Sequence, residues 1–211
     1  WKDQGTILKL YESGVDSFFN FPFSGADGQI IKAVREEEGL SLARKAAEWQ
    51  NNILATNQEA FGTPFLSNHD TGRSAGFLRM DLQTMKRAAA IYLMLPGVTF
   101  VYNGEEIGMT ASGRDENKRL PMLRSLADTA VMPYPPKGAD PAQRLKDATD
   151  TQEKDPDSLL SFYRLILALR RPGPGSGQQG PHGLPRGERR AKRPGYPEPV
   201  RGVLSSPHHL A

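Results

Sequence analysis

The chain carries the run FLSNHDTGRSA at residues 65–75, where an apolar stretch ends abruptly in Asn68-His69-Asp70 and a glycine turn. A buried parallel strand has the form of a short apolar run, and polar side chains directly after it lie at its carboxyl end. In a (β/α) barrel the active site is built on the loops at that end, so an imidazole and a carboxylate there are candidate site residues. An Asx turn or a helix N-cap is the local alternative, and these few residues by themselves favour it.

Two further segments have the same form, a short β-rich apolar run that ends in a turn signal. They are GVDSFFNFP at residues 14–22 and LPGVTFVYNGEEIGM at residues 95–109. Segments with helical spacing lie between the three runs, which predicts the order strand, helix, strand, helix, strand. Strands that are connected by helices run parallel in one sheet, so an α/β fold is expected.

The spacing of the apolar residues predicts three helices. The first covers residues 41–60 with Ser41 as its N-cap, and the second covers residues 81–95 with Asp81 as its N-cap. A third begins after Asp157, which is also a predicted N-cap. The Met, Trp and Tyr side chains on these helices are expected to pack against the sheet rather than to bind a ligand.

The runs at residues 65–70 and 96–109, followed by RLPM at residues 119–122, resemble the later part of the catalytic barrel of the alpha-amylase family, glycoside hydrolase family 13. The resemblance extends over residues 1–171, and its Asn-His-Asp and Tyr-Asn-Gly-Glu-Glu motifs occur in the family's order. It implies an α/β fold that is a partial TIM (β/α)8 barrel, with the three strands as about the sixth to the eighth.

The same resemblance implies roles for four side chains near the first motif. Asp70 resembles the catalytic carboxylate that holds sugar hydroxyls at the cleaved bond and favours the positively charged transition state. His69 resembles the imidazole that hydrogen-bonds the same sugar, and Asn68 and Arg73 are further candidates for substrate binding. Two local alternatives stay open, namely that Asn68 caps the turn and that Arg73 forms a salt bridge on the surface.

The family's nucleophilic Asp and acid/base Glu motifs have no counterpart in this sequence. Retaining glycoside hydrolysis needs both of those carboxyl groups, about 5 to 5.5 Å apart. We therefore expect a fragment of an enzyme that cleaves α-1,4-glucosidic bonds in starch or maltooligosaccharides. Its expected partners are the α-glucan substrate and the missing N-terminal half of the same barrel, without which the fragment is expected to be inactive.

Three alternatives to an alpha-amylase stay open. An α-glucosidase and a glucan-transferring enzyme are relatives within the same family, and loops upstream of the first residue would distinguish them. Some proteins with this barrel are instead non-catalytic subunits of amino acid transporters that have lost the carboxylates. The intact Asn68-His69-Asp70 favours an enzyme, because a subunit that binds no sugar has no need of these polar side chains.

Other acidic and aromatic residues carry weaker signals. Glu105 and Glu106 are adjacent, so their side chains point in different directions, and we expect structural or rim residues rather than a catalytic pair. The Asp-Glu-Asn run at residues 115–117 is expected to be a solvated loop. No metal or cofactor site is expected in this segment, although the resemblance allows calcium in the complete enzyme. Phenylalanines at residues 19–23 would either line the floor of the sugar cleft or, as we prefer, pack in the core.

Cysteine content and hydropathy indicate whether disulfides or membrane segments are expected. The 211 residues contain no cysteine, so disulfides play no part in this segment. There is no signal peptide and no apolar run of about 18 residues, so no membrane partner is expected. Because a missing amino terminus would also have removed any signal, the location is left open, secretion included.

Residues 172–211 differ in kind from the rest. Of these 40 residues 16 are Gly or Pro, and six Lys or Arg outnumber two acids. Apolar residues do not recur at the spacing of a helix or a strand, so a disordered tail is expected. Translation of a GC-rich gene in the wrong frame is our preferred explanation, and a basic arm for nucleic acid is the alternative. Since Tyr196 is the only aromatic residue of the tail, stacking platforms are missing and no nucleic-acid partner is expected.

Overall fold

A computed structural model describes residues 3–111, 113–122, 124–125, 136–140 and 148–170. The described residues form eight α-helices, two short strands and two 3-10 turns. The helices are α1 Gln4–Glu12, α2 Gln29–Glu36, α3 Gly39–Thr56, α4 Ser74–Phe77, α5 Leu82–Met94, α6 Asp115–Lys118, α7 Thr149–Glu153 and α8 Leu159–Arg170. The strands are β1 Ser17–Phe19 and β2 Phe61–Thr63, and the 3-10 turns are Phe21–Phe23 and Glu105–Ile107.

The strands confirm the predicted parallel order. β1 and β2 pair in parallel, with Ser17 opposite Phe61. The third predicted strand is an extended segment beside β2, where Phe100 forms a parallel bridge with Phe65 and donates its backbone N–H to Pro64 O. Pro64 accepts the Phe100 N–H but has no N–H of its own to donate to that segment, which limits the predicted strand at Phe65 to this single bridge.

Of the three predicted helix caps, only Asp81 is confirmed. Its side chain accepts the N–H of Thr84 at 2.8 Å. Ser41 is not a cap, because α3 begins at Gly39, directly after a helix that the sequence analysis did not predict, α2. Asp157 is also not the cap of α8. Ser158 takes that place, since its hydroxyl accepts the N–H of Ser161 at 3.1 Å.

The core lies between the strands and the helices. Trp49, Tyr92 and Tyr163 are at most 5% exposed, which confirms that these aromatic residues of the helical stripes pack inside. The main cluster of buried residues includes Tyr11, Ile30, Ile53 and Leu93. Helices on one side of a parallel sheet are the arrangement of a (β/α) unit, and the chain continues from the carboxyl end of β2 through residues 64–67 into the turn of residues 68–71.

The opposite face of the strands is open. Phe19, Val98 and Phe100 are each more than 40% exposed, and together with Ser17 and Thr63 they line a recess of about 340 Å³. The ring of Phe19 packs edge-to-face against Phe100 and Phe65, with centroids 4.9 and 5.3 Å away. Phe23 is 2% exposed and lies in the core, as preferred from the sequence, whereas Phe19 and Phe21 pack on Phe65 and Phe19 stays exposed on this face.

The predicted disordered tail at residues 172–211 lies outside the described residues, so it stays a prediction. Across the described ranges, none of the helices combines the length and the apolar character that a membrane span requires.

Candidate active site

The turn after β2 is built around the side chain of Asn68. Its Oδ1 accepts the N–H groups of Asp70 and Thr71 at 2.9 and 2.8 Å, while the Thr71 hydroxyl accepts the N–H of Asn68 at 3.0 Å. This is an Asx turn, in which a side-chain oxygen takes the place of a backbone carbonyl. Asn68 thus caps the turn, and its effect is to present the two residues at the tip, His69 and Asp70, to solvent.

His69 and Asp70 form the polar tip of the turn. The imidazole Nε2 lies 3.4 Å from Asp70 Oδ1, and the two side chains are 58% and 50% exposed. A half-exposed carboxylate can accept hydrogen bonds from a polyhydroxylated ligand while the imidazole beside it donates one. The sequence prediction that the strand delivers these two residues to one exposed edge therefore agrees with their placement.

A shallow recess adjoins Asp70. It has a volume of about 300 Å³ and lies between the turn and the segment that follows β1. Residues that line it include Phe21, Asp27, Asp70, Thr71 and Phe77. Aromatic rings beside carboxylates suit the mixed apolar and hydroxylated surface of a sugar.

Arg73 is buried, with only 2% of its surface exposed. Its Nη1 donates to Asn103 O at 2.7 Å and its Nη2 to Leu120 O at 3.4 Å, while its guanidinium carbon lies 4.7 Å from the centre of the Tyr102 ring. The alternative of a surface salt bridge is therefore wrong. Burial lowers the pKa of Arg73, an effect that Tyr102 and Glu105 oppose. A role of Arg73 in substrate binding stays a prediction.

Lys118 and Tyr102 contact the turn or its neighbours, and the sequence analysis missed both. Lys118 Nζ donates to the backbone oxygen of Asp70 at 3.3 Å and to Asp115 Oδ1 at 2.8 Å. The Tyr102 hydroxyl donates to Lys118 O at 2.9 Å. Asp70 and Lys118 are 48 residues apart, and no local pattern of the sequence relates them.

Glu105 is a buried carboxyl group that links three elements. Its Oε2 accepts the hydroxyl of Ser67 at 2.5 Å, and its Oε1 accepts those of Tyr92 and Tyr163 at 2.5 and 3.1 Å. Burial raises the pKa of Glu105 to about 7, although the three hydroxyl donors act in the opposite direction. Because both oxygens are occupied by protein hydroxyls, Glu105 is a structural residue, as predicted.

Glu106 does not share these partners. Its Oε2 is buried without a hydrogen-bond partner, and so is the Nε of Arg73. The two adjacent glutamates therefore lie in different surroundings and do not form a pair of cooperating acids. Neither of them belongs to the exposed tip formed by His69 and Asp70.

The run at residues 115–117 is not the predicted solvated loop, because it lies in helix α6 and one of its three residues is buried. Asn117 is 3% exposed, and its Oδ1 accepts the N–H of Asp140 at 2.7 Å, so it is a buried connector rather than part of a solvated loop. Asp115 is exposed, and its hydrogen bond from Lys118 lowers its pKa. Within the ranges that the structure covers, no three His, Cys, Asp or Glu side chains are grouped so that they could hold a metal ion.

Comparison with known proteins shows the family of the chain. The family model for the alpha amylase catalytic domain matches residues 1–172. The chain belongs to the alpha-amylase family. It is 33% identical over 174 residues to Alpha-amylase 3 of Dictyoglomus thermophilum, a match that covers 81% of this chain and 34% of that protein. A more distant relative is an alpha-glucosidase of Candida albicans, 24% identical over 214 residues, with 78% of this chain and 35% of that protein covered.

Solved structures of the family are similar as well. The structure of Eubacterium rectale Amy13B matches with a TM-score of 0.74 at 36% identity, over 81% of this chain and 34% of that one. The chain therefore spans about a third of the length of these relatives. An alpha-amylase family chain with helices on one face of a small parallel sheet is consistent with part of a TIM barrel.

Proposed function

We propose that this chain is the later part of the catalytic barrel of a retaining alpha-amylase-type enzyme, which cleaves α-1,4-glucosidic bonds in starch or maltooligosaccharides. The observation that carries the proposal is the exposed His69–Asp70 pair, held at the carboxyl end of β2 by the Asn68 turn in a chain of this family. The strands would be about the sixth to the eighth of the barrel, counted from the resemblance of their motifs.

The proposed roles follow from the chemistry of the two side chains. Asp70 would accept hydroxyl hydrogens of the sugar at the scissile bond, and its negative charge would favour the oxocarbenium-like transition state. His69 would donate a hydrogen bond to the same sugar. Asn68 would act through the turn, because its side-chain oxygen already accepts two backbone N–H groups.

The nucleophile and the proton donor would come from the upstream half of the barrel. The open face of Phe19, Val98 and Phe100 supports this proposal, since exposed apolar side chains in a row are typical of a surface that another element covers. Three strand positions cannot close a barrel of eight, and the missing strands would cover this face. Calcium, if the complete enzyme holds it, would be bound by residues outside the segment described above.

A chimaeric enzyme tests the proposal. The part of Eubacterium rectale Amy13B that precedes the matched segment is joined to the full 211-residue chain, and we call the product the joined enzyme. We expect it to hydrolyse soluble starch and to release products that retain the α configuration, while the chain alone shows no turnover. Asp70→Ala in the joined enzyme controls for contaminating amylase. A folded joined enzyme that is no more active than this control, or one that yields the β anomer, would contradict the proposal.

An α-glucosidase or a glucan-transferring enzyme is the second candidate, because the relatives include the Candida albicans alpha-glucosidase. Because specificity depends on upstream loops, which the joined enzyme takes from Amy13B, products of the joined enzyme do not distinguish the two candidates. In an enzyme that carries this chain with its own upstream loops, release of glucose from chain ends, or the appearance of longer oligosaccharides, would favour the second candidate over an alpha-amylase.

A further inference from the structure

Lys118 forms a hydrogen bond with the backbone of Asp70, the proposed catalytic residue. Its Nζ donates to Asp70 O at 3.3 Å, and the Asp115 carboxylate holds the same ammonium at 2.8 Å. The Lys118 side chain is only 16% exposed. The bond reaches from α6, which follows the third strand position, to the turn that follows β2.

Tyr102 and Arg73 hold Lys118 in its place. The Tyr102 hydroxyl donates to Lys118 O at 2.9 Å, and the Tyr102 ring lies under the Arg73 guanidinium. The same guanidinium donates to Asn103 O and Leu120 O, on either side of α6 in the chain. Arg73 itself directly precedes α4, three residues after Asp70.

We propose that Arg73, Tyr102 and Lys118 form a bracket that positions Asp70 for catalysis, so that all three are positioning residues. The inference rests on the proposed function for its effect on turnover. Arg73 then acts by holding the loops in place and does not contact the sugar, in keeping with its burial.

The internal bonds of the turn cannot replace the bracket. The hydrogen bonds from Asp70 and Thr71 to Asn68 fix the shape of the turn, but all of them lie within residues 68–71. Lys118 instead joins the turn to a different loop, and thereby fixes where the shaped turn sits. A carboxylate that has to meet a developing charge loses much of its effect when it is displaced by as little as 1 Å.

Three substitutions separate positioning from general stability. Lys118→Met removes the ammonium but keeps the length of the side chain. Tyr102→Phe keeps the ring beneath Arg73 and removes only the hydroxyl that holds Lys118 O. Lys118→Arg restores a donor and should recover part of the loss.

Lys86→Met is the matched control. Lys86 Nζ also donates to a backbone oxygen, Asp157 O, at 2.6 Å, and its ammonium lies 5.6 Å from the centre of the Phe162 ring. This bond connects α5 with the start of α8 and does not touch the turn. If removing any lysine-to-carbonyl hydrogen bond lowered kcat or raised the exchange of residues 68–71, this variant would show the same effect.

The variants are compared in the joined enzyme by kcat and KM on one maltooligosaccharide, and by hydrogen exchange of the peptide that covers residues 68–71. We expect kcat to fall roughly 10- to 100-fold in Lys118→Met and less in Tyr102→Phe, with KM changed less than kcat. Exchange in this peptide should rise at least tenfold in both variants and stay unchanged in Lys86→Met.

Two outcomes decide against the bracket. If Lys118→Met and Lys86→Met have equal kcat and equal exchange in this peptide, Lys118 positions nothing. If kcat falls while exchange stays unchanged, Lys118 acts on the sugar directly and the inference is overturned. Should the parent joined enzyme be inactive, the proposed function fails, and the exchange of residues 68–71 alone still decides whether the bracket holds the turn.

Discussion

Glu105→Gln should change how the stability of the barrel depends on pH. The carboxyl group of Glu105 is buried, and it links Ser67 next to the candidate turn with Tyr92 on α5 and Tyr163 on α8. Glutamine has nearly the same shape but does not titrate. The three hydroxyl groups can turn to accept from its NH₂ group or to donate to its oxygen, so the links survive in part.

The expected magnitude follows from the raised pKa. Burial raises the pKa of Glu105 from 4.5 to about 7, and a difference of about 2.5 corresponds to about 3 kcal/mol of unfolding free energy. Because the folded pKa lies above the unfolded one, this stabilising contribution is fully present below pH 4.5 and is lost as the pH rises through 7. Over this pH range the unfolding free energy of the parent should therefore fall by about 3 kcal/mol relative to that of the glutamine variant.

The assay is urea unfolding of the joined enzyme between pH 4.5 and pH 8, followed by far-ultraviolet circular dichroism. The quantity of interest is the difference in unfolding free energy between parent and variant at each pH. Glu36→Gln, at an exposed glutamate of α2, is the control and should give a difference that does not change with pH. If the Glu105→Gln difference is equally flat, the buried carboxyl does not titrate in this range and the reasoning is wrong.

Three further substitutions test the site and the backbone. Asp70→Asn in the joined enzyme should lower kcat by roughly 10² or more with little change in KM, because in its proposed role Asp70 supplies a charge that acts in the transition state; a kcat within about twofold of the parent would contradict that role. His69→Ala should also raise KM, since its hydrogen bond to the sugar exists before the bond breaks. Gly97→Ala should destabilise the barrel by more than about 2 kcal/mol, because φ is +111° there and a Cβ would overlap the Gly62 carbonyl. Gly39→Ala, where a Cβ meets no atom within 4 Å, is the thermal-melting control and should cost nothing.

The order of strands and helices could be predicted in large part from the sequence, because the patterns that specify it lie within short segments. Alternating apolar runs and helical spacing predicted the parallel strands and the α5 helix, and Asp81 lies beside the N–H group that it caps. The errors concern helix starts. Ser158 rather than the adjacent Asp157 caps α8, and α3 begins at Gly39 with no side-chain cap to mark its start.

The candidate site was predictable in its exposed part only. Asn68, His69 and Asp70 are consecutive, and the turn that presents them closes within four residues, so a sequence pattern can specify it. Lys118 could not be found in this way, because its contact with Asp70 depends on how two loops meet after two different strand positions.

The sequence by itself determined the Asx turn at residues 68–71, the Asp81 cap and the apolar runs that become parallel strands, because each of these depends on hydrogen bonds or side-chain periods within a few residues. Only the tertiary structure decided the burial of Arg73 and the three hydroxyl partners of Glu105. The Arg73–Asn103 and Glu105–Tyr163 bonds join residues 30 and 58 positions apart. Such bonds form where packing brings distant segments together and excludes water, and no local pattern encodes which segments those will be.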